Sequence, residues 1–318
     1  MIYKSCYLVE HGLSFMWDNV LLCCLSDKKY IIEENFDGKN FDLDRILKQK
    51  RELRNQFKVG NVLPQCQNCH NLKEQDWDDE DYINNLFICH WTKCNCDCFY
   101  CYYEKNKKFF QNFKSYNFMK ILNYLKKKNL FKEGGEINIA GGEPTVLKEI
   151  DSIIDFCLKN GARNITINSN CIDYKKSIEK ALKKDKMLFT VSLDCSSKEM
   201  YQKIKRRDSF NKVISNLKRY IKAQGEIKHN VRVKYIILPK VNDSIEEVEK
   251  WINLCYELGV KQIILDLETK YYLANKGNIP EYIYEIIQFA ENKANDLGIM
   301  VNYYSHVLQL KHEEKKSR

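Results

Sequence analysis

From residue 86 onward the chain alternates short β-type runs with stretches whose apolar residues recur every three or four positions, and this alternation constrains its fold most. Strands are predicted at 86–91, 136–140, 164–169, 188–194, 230–238 and 262–267. Between them, Leu147, Ile150, Ile154 and Cys157 fall on one helical face, as do Phe210, Val213, Ile214, Leu217 and Ile221, then Ile245, Val248, Ile252 and Cys255. Ile283, Ile286, Ile287, Ala290, Ala294 and Leu297 repeat the pattern. Parallel strands joined through helices require right-handed crossovers, and six such units curl into a partial (β/α)6 barrel of the TIM type. This α/β fold places function at the C-terminal ends of its strands.

The barrel is expected over 86–305, followed by a C-terminal tail at 306–318. Residues 1–72 read as a small α+β module, with strand-like 8–15 and 19–24 around Asp18 and Asn19 and a helix over 44–57. Residues 73–85 read as an acidic linker, in which the stretch 75–81 has no apolar face. A length of 318 residues suits one large domain with a small appendage.

Fourteen cysteines are the compositional outlier. The first residues lack a charged segment followed by an apolar stretch, so a cytoplasmic address is expected. In that reducing compartment cysteines serve metal or cluster ligation rather than disulfides. Cys66, Cys69, Cys89, Cys94, Cys96, Cys98 and Cys101 crowd one window. Cys157 and Cys255, on apolar helix faces, read as core.

Directly after the first barrel strand, Cys94, Cys98 and Cys101 stand in the spacing C-x3-C-x2-C, with Tyr100 before the last cysteine. At the end of the second strand stands Gly141-Gly142-Glu143-Pro144. In these two motifs, met in this order on consecutive strands, the chain resembles the radical S-adenosylmethionine superfamily. The resemblance implies that Cys94, Cys98 and Cys101 ligate three irons of a [4Fe-4S] cluster, leaving the fourth open to S-adenosylmethionine. It implies that Glu143 holds the methionine amino group: the glycines let backbone approach the ligand, the carboxylate pairs an ammonium and Pro144 stiffens the exit. Ser169 and Asn170 end the third strand, and Ser192 and Asp194 the fourth, where the family places polar contacts to the ligand. The family usually has glycine next, where this chain has Cys171 and Cys195. Arg232 and Lys234 share one face of the fifth strand, from which Lys234 is a candidate for the methionine carboxylate. Cys96 reads as a bystander, because a fourth thiolate would close the open iron. Zinc completed by Cys66 and Cys69 is disfavoured, since it leaves Gly-Gly-Glu-Pro unexplained.

The leading module resembles the twitch or SPASM type of auxiliary [4Fe-4S] domain, in which a cysteine precedes a hairpin, another ends it and a C-x2-C pair follows a helix. Cys6, Cys24, Cys66 and Cys69 are the matching residues, with Cys23 an alternative to Cys24 and a zinc site an alternative to the cluster. The resemblance implies reductive cleavage of S-adenosylmethionine to a 5'-deoxyadenosyl radical that abstracts hydrogen. The expected substrate is a peptide or protein, with a carbohydrate or other small molecule as the alternative, and the expected reductant is a flavodoxin or ferredoxin.

A net charge of +9 spread along the chain, without a basic patch, gives no expectation of nucleic-acid binding, and no apolar run suits a membrane span. The competing class is a non-catalytic iron-sulfur or zinc protein using the basic run Lys203, Ile204, Lys205, Arg206 and Arg207; such runs are usually solvated faces.

Overall fold

The computed structural model describes residues 1–23, 31–33, 36, 42–69, 71–78, 80–101, 116–225, 228–275, 278–304 and 307. Two compact units emerge, Met1–Lys93 with Lys107–Ile167, and Cys94–Asn106 with Asn168–Arg318. The three-cysteine loop therefore opens the second unit, a division the sequence boundaries at 72 and 86 did not anticipate.

In the first unit the elements are β1 (Ile2–Ser5), α1 (Tyr7–His11), β2 (Gly12–Phe15), β3 (Val20–Leu21), β4 (Ile31–Glu33), α2 (Leu43–Lys58), β5 (Lys73–Asp76), β6 (Asn85–Ile88), α3 (Phe118–Lys127), β7 (Glu136–Ile139), α4 (Ile150–Lys159) and β8 (Asn164–Ser169), whose last two residues are counted with the second unit. Strands β8, β7, β6 and β2 run parallel, with β3 and β4 added antiparallel at the β2 side. The leading segment thus extends the barrel sheet through the β2–β6 pairing. Where an acidic linker was expected, β5 pairs with β1. Residues 8–15 divide into a helix and a strand. A five-residue helix cannot stand alone, and α1 is closed by Lys50, whose buried ammonium donates to Val9 O and Gly12 O, each at 2.7 Å.

In the second unit follow α5 (Lys176–Lys183), β9 (Met187–Ser192), α6 (Lys198–Lys205), α7 (Phe210–Gln224), β10 (Val231–Ile237), α8 (Ile245–Glu257), β11 (Gln262–Leu267), α9 (Thr269–Ala274), α10 (Glu281–Asp296) and β12 (Met300–Tyr303). Strands β9, β10, β11 and β12 are parallel neighbours in that order. β12 is a further parallel strand that the sequence pattern did not reveal. The fold is α/β with a parallel-strand sheet. Among the described residues no helix is long and apolar enough to cross a membrane.

Period-2 alternation sets the two faces of each sheet. Ile137 and Ile139 of β7 are buried while Glu136 and Asn138 are partly exposed, and β10 buries Val231, Val233, Tyr235 and Ile237 while Arg232, Lys234 and Ile236 are half-buried. The apolar faces meet helices whose buried residues recur at helical spacing, such as Ile150, Ile153, Ile154 and Cys157 of α4. Each such isoleucine removed from water contributes about 1.5–3 kcal/mol. The opposite, more polar faces are left for chemistry.

Candidate functional site

The cysteine loop is built on hydrogen bonds within the second unit. Cys94 is exposed, Cys98 and Cys101 are partly buried, and a turn closes where Cys101 N donates to Cys98 O at 3.0 Å. Cys96 turns inward and is buried. Its backbone N–H donates to Cys94 Sγ at 3.3 Å. Asn170 gathers this half of the loop: its side-chain amide donates to Asn95 Oδ1 at 2.6 Å, Cys96 Sγ at 3.4 Å and Cys94 Sγ at 3.7 Å. The hydrogen bond from the Cys96 thiol, with help from the Lys205 charge, outweighs burial and brings the Cys98 thiol down to about 7. The donor set fits the expected cluster: three thiols on one short loop, one of them held near neutrality, suit a group that binds thiolates on separate irons. Among the described residues no group of His, Cys, Asp or Glu is arranged to hold a single metal ion.

A buried charged cluster lies under this loop. Tyr100 Oη donates to Asp194 Oδ2 at 2.6 Å and accepts from Lys205 Nζ at 2.9 Å, and Lys205 pairs directly with Asp194. The other carboxylate oxygen, Oδ1, accepts from Ile236 N at 2.9 Å. Burial alone would raise the Asp194 carboxyl, but Lys205 and Lys234 hold it below the usual carboxylate range. Burial likewise works against the Lys205 charge, and Asp194, Tyr100 and Cys98 together raise it well above the usual lysine value. The last turn of α6 caps the loop as well, since Asp97 N donates to Lys205 O and Phe99 N to Ile204 O, each at 3.2 Å. Carbonyls that a helix end leaves open are thereby satisfied.

The sequence pattern predicts that Ser192 and Asp194 both belong to the end of a strand reaching residue 194. β9 ends at Ser192, and Asp194 takes φ 61°, so strand alternation does not reach it. Its side chain is fully buried and bonded as described. Ser192 stays on the polar face of β9, opposite Lys234 of β10, while Arg232 donates to Thr190 Oγ1 at 3.0 Å. The Lys234 ammonium lies 5.8 Å from the Tyr304 ring centroid. Ser169 Oγ accepts from Cys171 N at 2.9 Å. Cys171, where the family usually has glycine, adopts the left-handed conformation at φ 61°; in the fourth strand's turn it is Asp194 rather than Cys195 that does so.

Lys205 escaped the sequence reading, which took the run 203–207 as solvated. The available signal was spacing: Tyr201, Ile204 and Lys205 are the buried residues of α6, at i, i+3 and i+4.

In the first unit, Gly141-Gly142-Glu143-Pro144 leaves the C-terminal end of β7 and packs on the backbone that follows β6. Gly142 N donates to Trp91 O at 3.2 Å and Glu143 N to Lys93 O at 2.8 Å. Gly141 has φ 116°, and a Cβ on Gly142 would stand 2.1 Å from Lys93 O. Gly142→Ala therefore has to push backbone aside, with an expected loss of about 1–3 kcal/mol; an unchanged melting temperature would show that the turn relaxes freely. Glu143 is buried, and its Oε1 accepts from Thr145 N at 3.0 Å and Thr145 Oγ1 at 2.7 Å, so the carboxylate is oriented by the 3₁₀ turn that Pro144 opens.

The N-terminal cysteines also gather, again within the first unit. Burial pushes the Cys66 thiol up to about 11, with Cys6, Cys69 and Cys23 each adding to the effect. Burial raises Cys6 in turn, with Cys23 and Cys69 contributing. Cys6, Cys23, Cys66 and Cys69 thus lie within electrostatic range of one another. Cys24 lies outside the described residues. Cys6 borders a recess of about 520 Å³ that reaches Asn85 and Glu136, the first residues of β6 and β7. These thiols sit toward the opposite strand ends from the Gly-Gly-Glu-Pro turn.

Residues 88–255 match the family described as Radical SAM superfamily. A GTP 3',8-cyclase of Clostridium botulinum is 27% identical over 188 residues, covering 58% of this chain and 56% of that protein. A probable GTP 3',8-cyclase of Methanocaldococcus jannaschii is 28% identical over 209 residues, covering 64% and 67%. The chain spans little more than half the length of the first of these. Among solved structures, Streptococcus suis SuiB bound to precursor peptide SuiA is similar with a TM-score of 0.56 and 16% identity, over 88% of this chain and 58% of that one. The anSMEcpe structure with bound AdoMet has a TM-score of 0.52 and 18% identity, over 69% and 63%.

Proposed function

The chain belongs to the radical SAM superfamily, and from that premise we propose that it abstracts hydrogen from a peptide or protein substrate. Membership implies a [4Fe-4S] cluster and S-adenosylmethionine. When bound, these supply a 5'-deoxyadenosyl radical by one-electron cleavage of the sulfonium. The observation that carries the reading is the three-cysteine loop, in which Cys94 is exposed and Cys98 and Cys101 are partly buried while Cys96 lies buried between them. Cys94, Cys98 and Cys101 would hold the iron. Gly141 and Gly142 would let backbone approach the ligand, Glu143 would take its ammonium, and Lys234 its carboxylate. Ser169, Asn170, Ser192, Asp194 and Tyr100 would support this site, Asn170, Tyr100 and Asp194 by shaping the loop and Ser169 by shaping the turn after β8. A water-poor interior then protects the reactive species.

A peptidyl substrate is supported by the fold shared with SuiB bound to a precursor peptide. A small molecule is the second reading, favoured by the curated relatives named GTP 3',8-cyclase. We also propose a second iron-sulfur site of twitch or SPASM type at Cys6, Cys66 and Cys69, with Cys24 or Cys23 as fourth ligand. The electrostatic range found for Cys23 favours it. A cytoplasmic protein reduced by a flavodoxin or ferredoxin suits this reading, because thiols that ligate iron persist in a reducing compartment.

The deciding experiment is anaerobic reduction with S-adenosylmethionine, followed by measurement of 5'-deoxyadenosine. Its absence from iron-loaded protein would refute the reading. Glu143→Gln keeps shape and removes charge, so S-adenosylmethionine affinity should fall by about 1–3 kcal/mol with iron content unchanged. Equal affinity, measured by calorimetry, would remove Glu143 from the ligand's amino group.

A further inference from the structure

We propose that Lys205 is a positioning residue for the three-cysteine loop, whose buried ammonium makes the loop's cluster easier to reduce. The inference rests on the proposed role of Cys94, Cys98 and Cys101 and adds to it a residue outside both motifs.

Lys205 is 1% exposed. A buried ammonium is retained only where partners answer its charge. Lys205 has two such partners, and both belong to the loop's support. Tyr100, one residue before Cys101, accepts from it at 2.9 Å, and Asp194 pairs with it. The ammonium also lies 5.3 Å from the Tyr100 ring centroid, a cation–π distance. Through its backbone the same residue accepts from Asp97 N, next to Cys98. Side chain and backbone of one residue thus fix the loop on both sides of Cys98.

Position and charge together have a redox consequence. Three thiolates and a [4Fe-4S] core carry net negative charge, and reduction adds one more electron from the reductant. A cation in a poorly solvated site close to a ligand sulfur stabilises the more negative, reduced state. Asp194, its counter-charge, acts in the opposite sense. The pair therefore makes signed predictions that a packing role does not.

The test is a redox titration of the anaerobically reconstituted full chain, following the component of the reduced cluster's EPR signal that changes when S-adenosylmethionine is added. Lys205→Met should shift the reduction equilibrium at least tenfold toward the oxidised cluster, equivalent to about 59 mV for one electron. Lys205→Arg should stay within about threefold of wild type, because the charge is kept. Asp194→Asn should move the other way, toward easier reduction. An unchanged midpoint in Lys205→Met, or equal shifts in the Met and Arg variants, overturns the inference. Should Lys205→Met fail to hold its cluster, Asp194→Asn decides: a midpoint that stays or falls overturns it. A wild-type protein with no S-adenosylmethionine-sensitive signal removes instead the function on which the inference rests.

Discussion

Replacing Cys94, Cys98 or Cys101 by alanine is expected to abolish reductive cleavage of S-adenosylmethionine, with 5'-deoxyadenosine falling to background in each single variant. On the proposed role each thiol would supply one of three thiolates, and Cys96, although beside them, is buried and hydrogen-bonded to Asn170. Cys96→Ala is therefore the matched control, expected to retain both the cluster spectrum and cleavage. Its small side chain leaves a gap beside Asn170, so a modest loss of stability is expected, but no loss of iron. Wild-type turnover in any of the three ligand variants would reject the assignment, and a colourless Cys96→Ala protein would place the loop in the wrong register.

The second large effect concerns the N-terminal thiols. Removing Cys66 and Cys69 together should spare abortive cleavage to 5'-deoxyadenosine while blocking product formation. The reason is topological. Cys6 borders a recess at the first residues of β6 and β7, whereas the Gly-Gly-Glu-Pro turn follows the last residue of β7. A strand of four residues separates these ends by about 13 Å at the usual rise per residue. Loss of a metal there leaves the glycine turn and its contacts with Trp91 and Lys93 in place. Iron analysis supplies a second readout: about eight irons per chain in wild type and about four in the double variant indicate two clusters, whereas about four irons with one zinc indicate a structural zinc site. Product at the wild-type rate in the double variant would end the auxiliary role. Single Cys23→Ala and Cys24→Ala variants then identify the fourth ligand, with the Cys23 change expected to lose the metal.

Much of this architecture is legible in the sequence. The strands at 164–169 and 262–267 have the predicted ends, and the helix faces of α4 and α10 are those that periodicity identified, whereas on α8 Ile245 is exposed and Trp251 is buried beside Val248, Ile252 and Cys255. Strand alternation correctly put Arg232 and Lys234 on one face. The departures occur where distant residues decide local shape. Residues 7–11 are helical because Lys50, on α2, answers the carbonyls of so short a helix. β9 stops two residues early because Asp194 turns into a left-handed conformation, and its carboxylate is taken up by Tyr100, Lys205 and Ile236. Acidic composition pointed to a linker at 73–85, yet an edge strand with every residue exposed needs no apolar face to pair, and β5 is such a strand.

By itself the sequence determined the parallel α/β fold, the three-cysteine loop and the glycine turn, because strand and helix periods and short motif spacings are properties of neighbouring residues. The tertiary structure decided that Asn170 and Asp194 face the loop, that Cys23 lies within electrostatic range of Cys6 and Cys66, and that Lys205 is buried rather than solvated. The physical reason is that a polar group's fate depends on partners that can answer its charge or hydrogen bonds once water is removed. For Lys205 those partners are Asp194, eleven positions away, and Tyr100, 105 positions away. No local pattern encodes such a meeting; the folding of the chain brings it about.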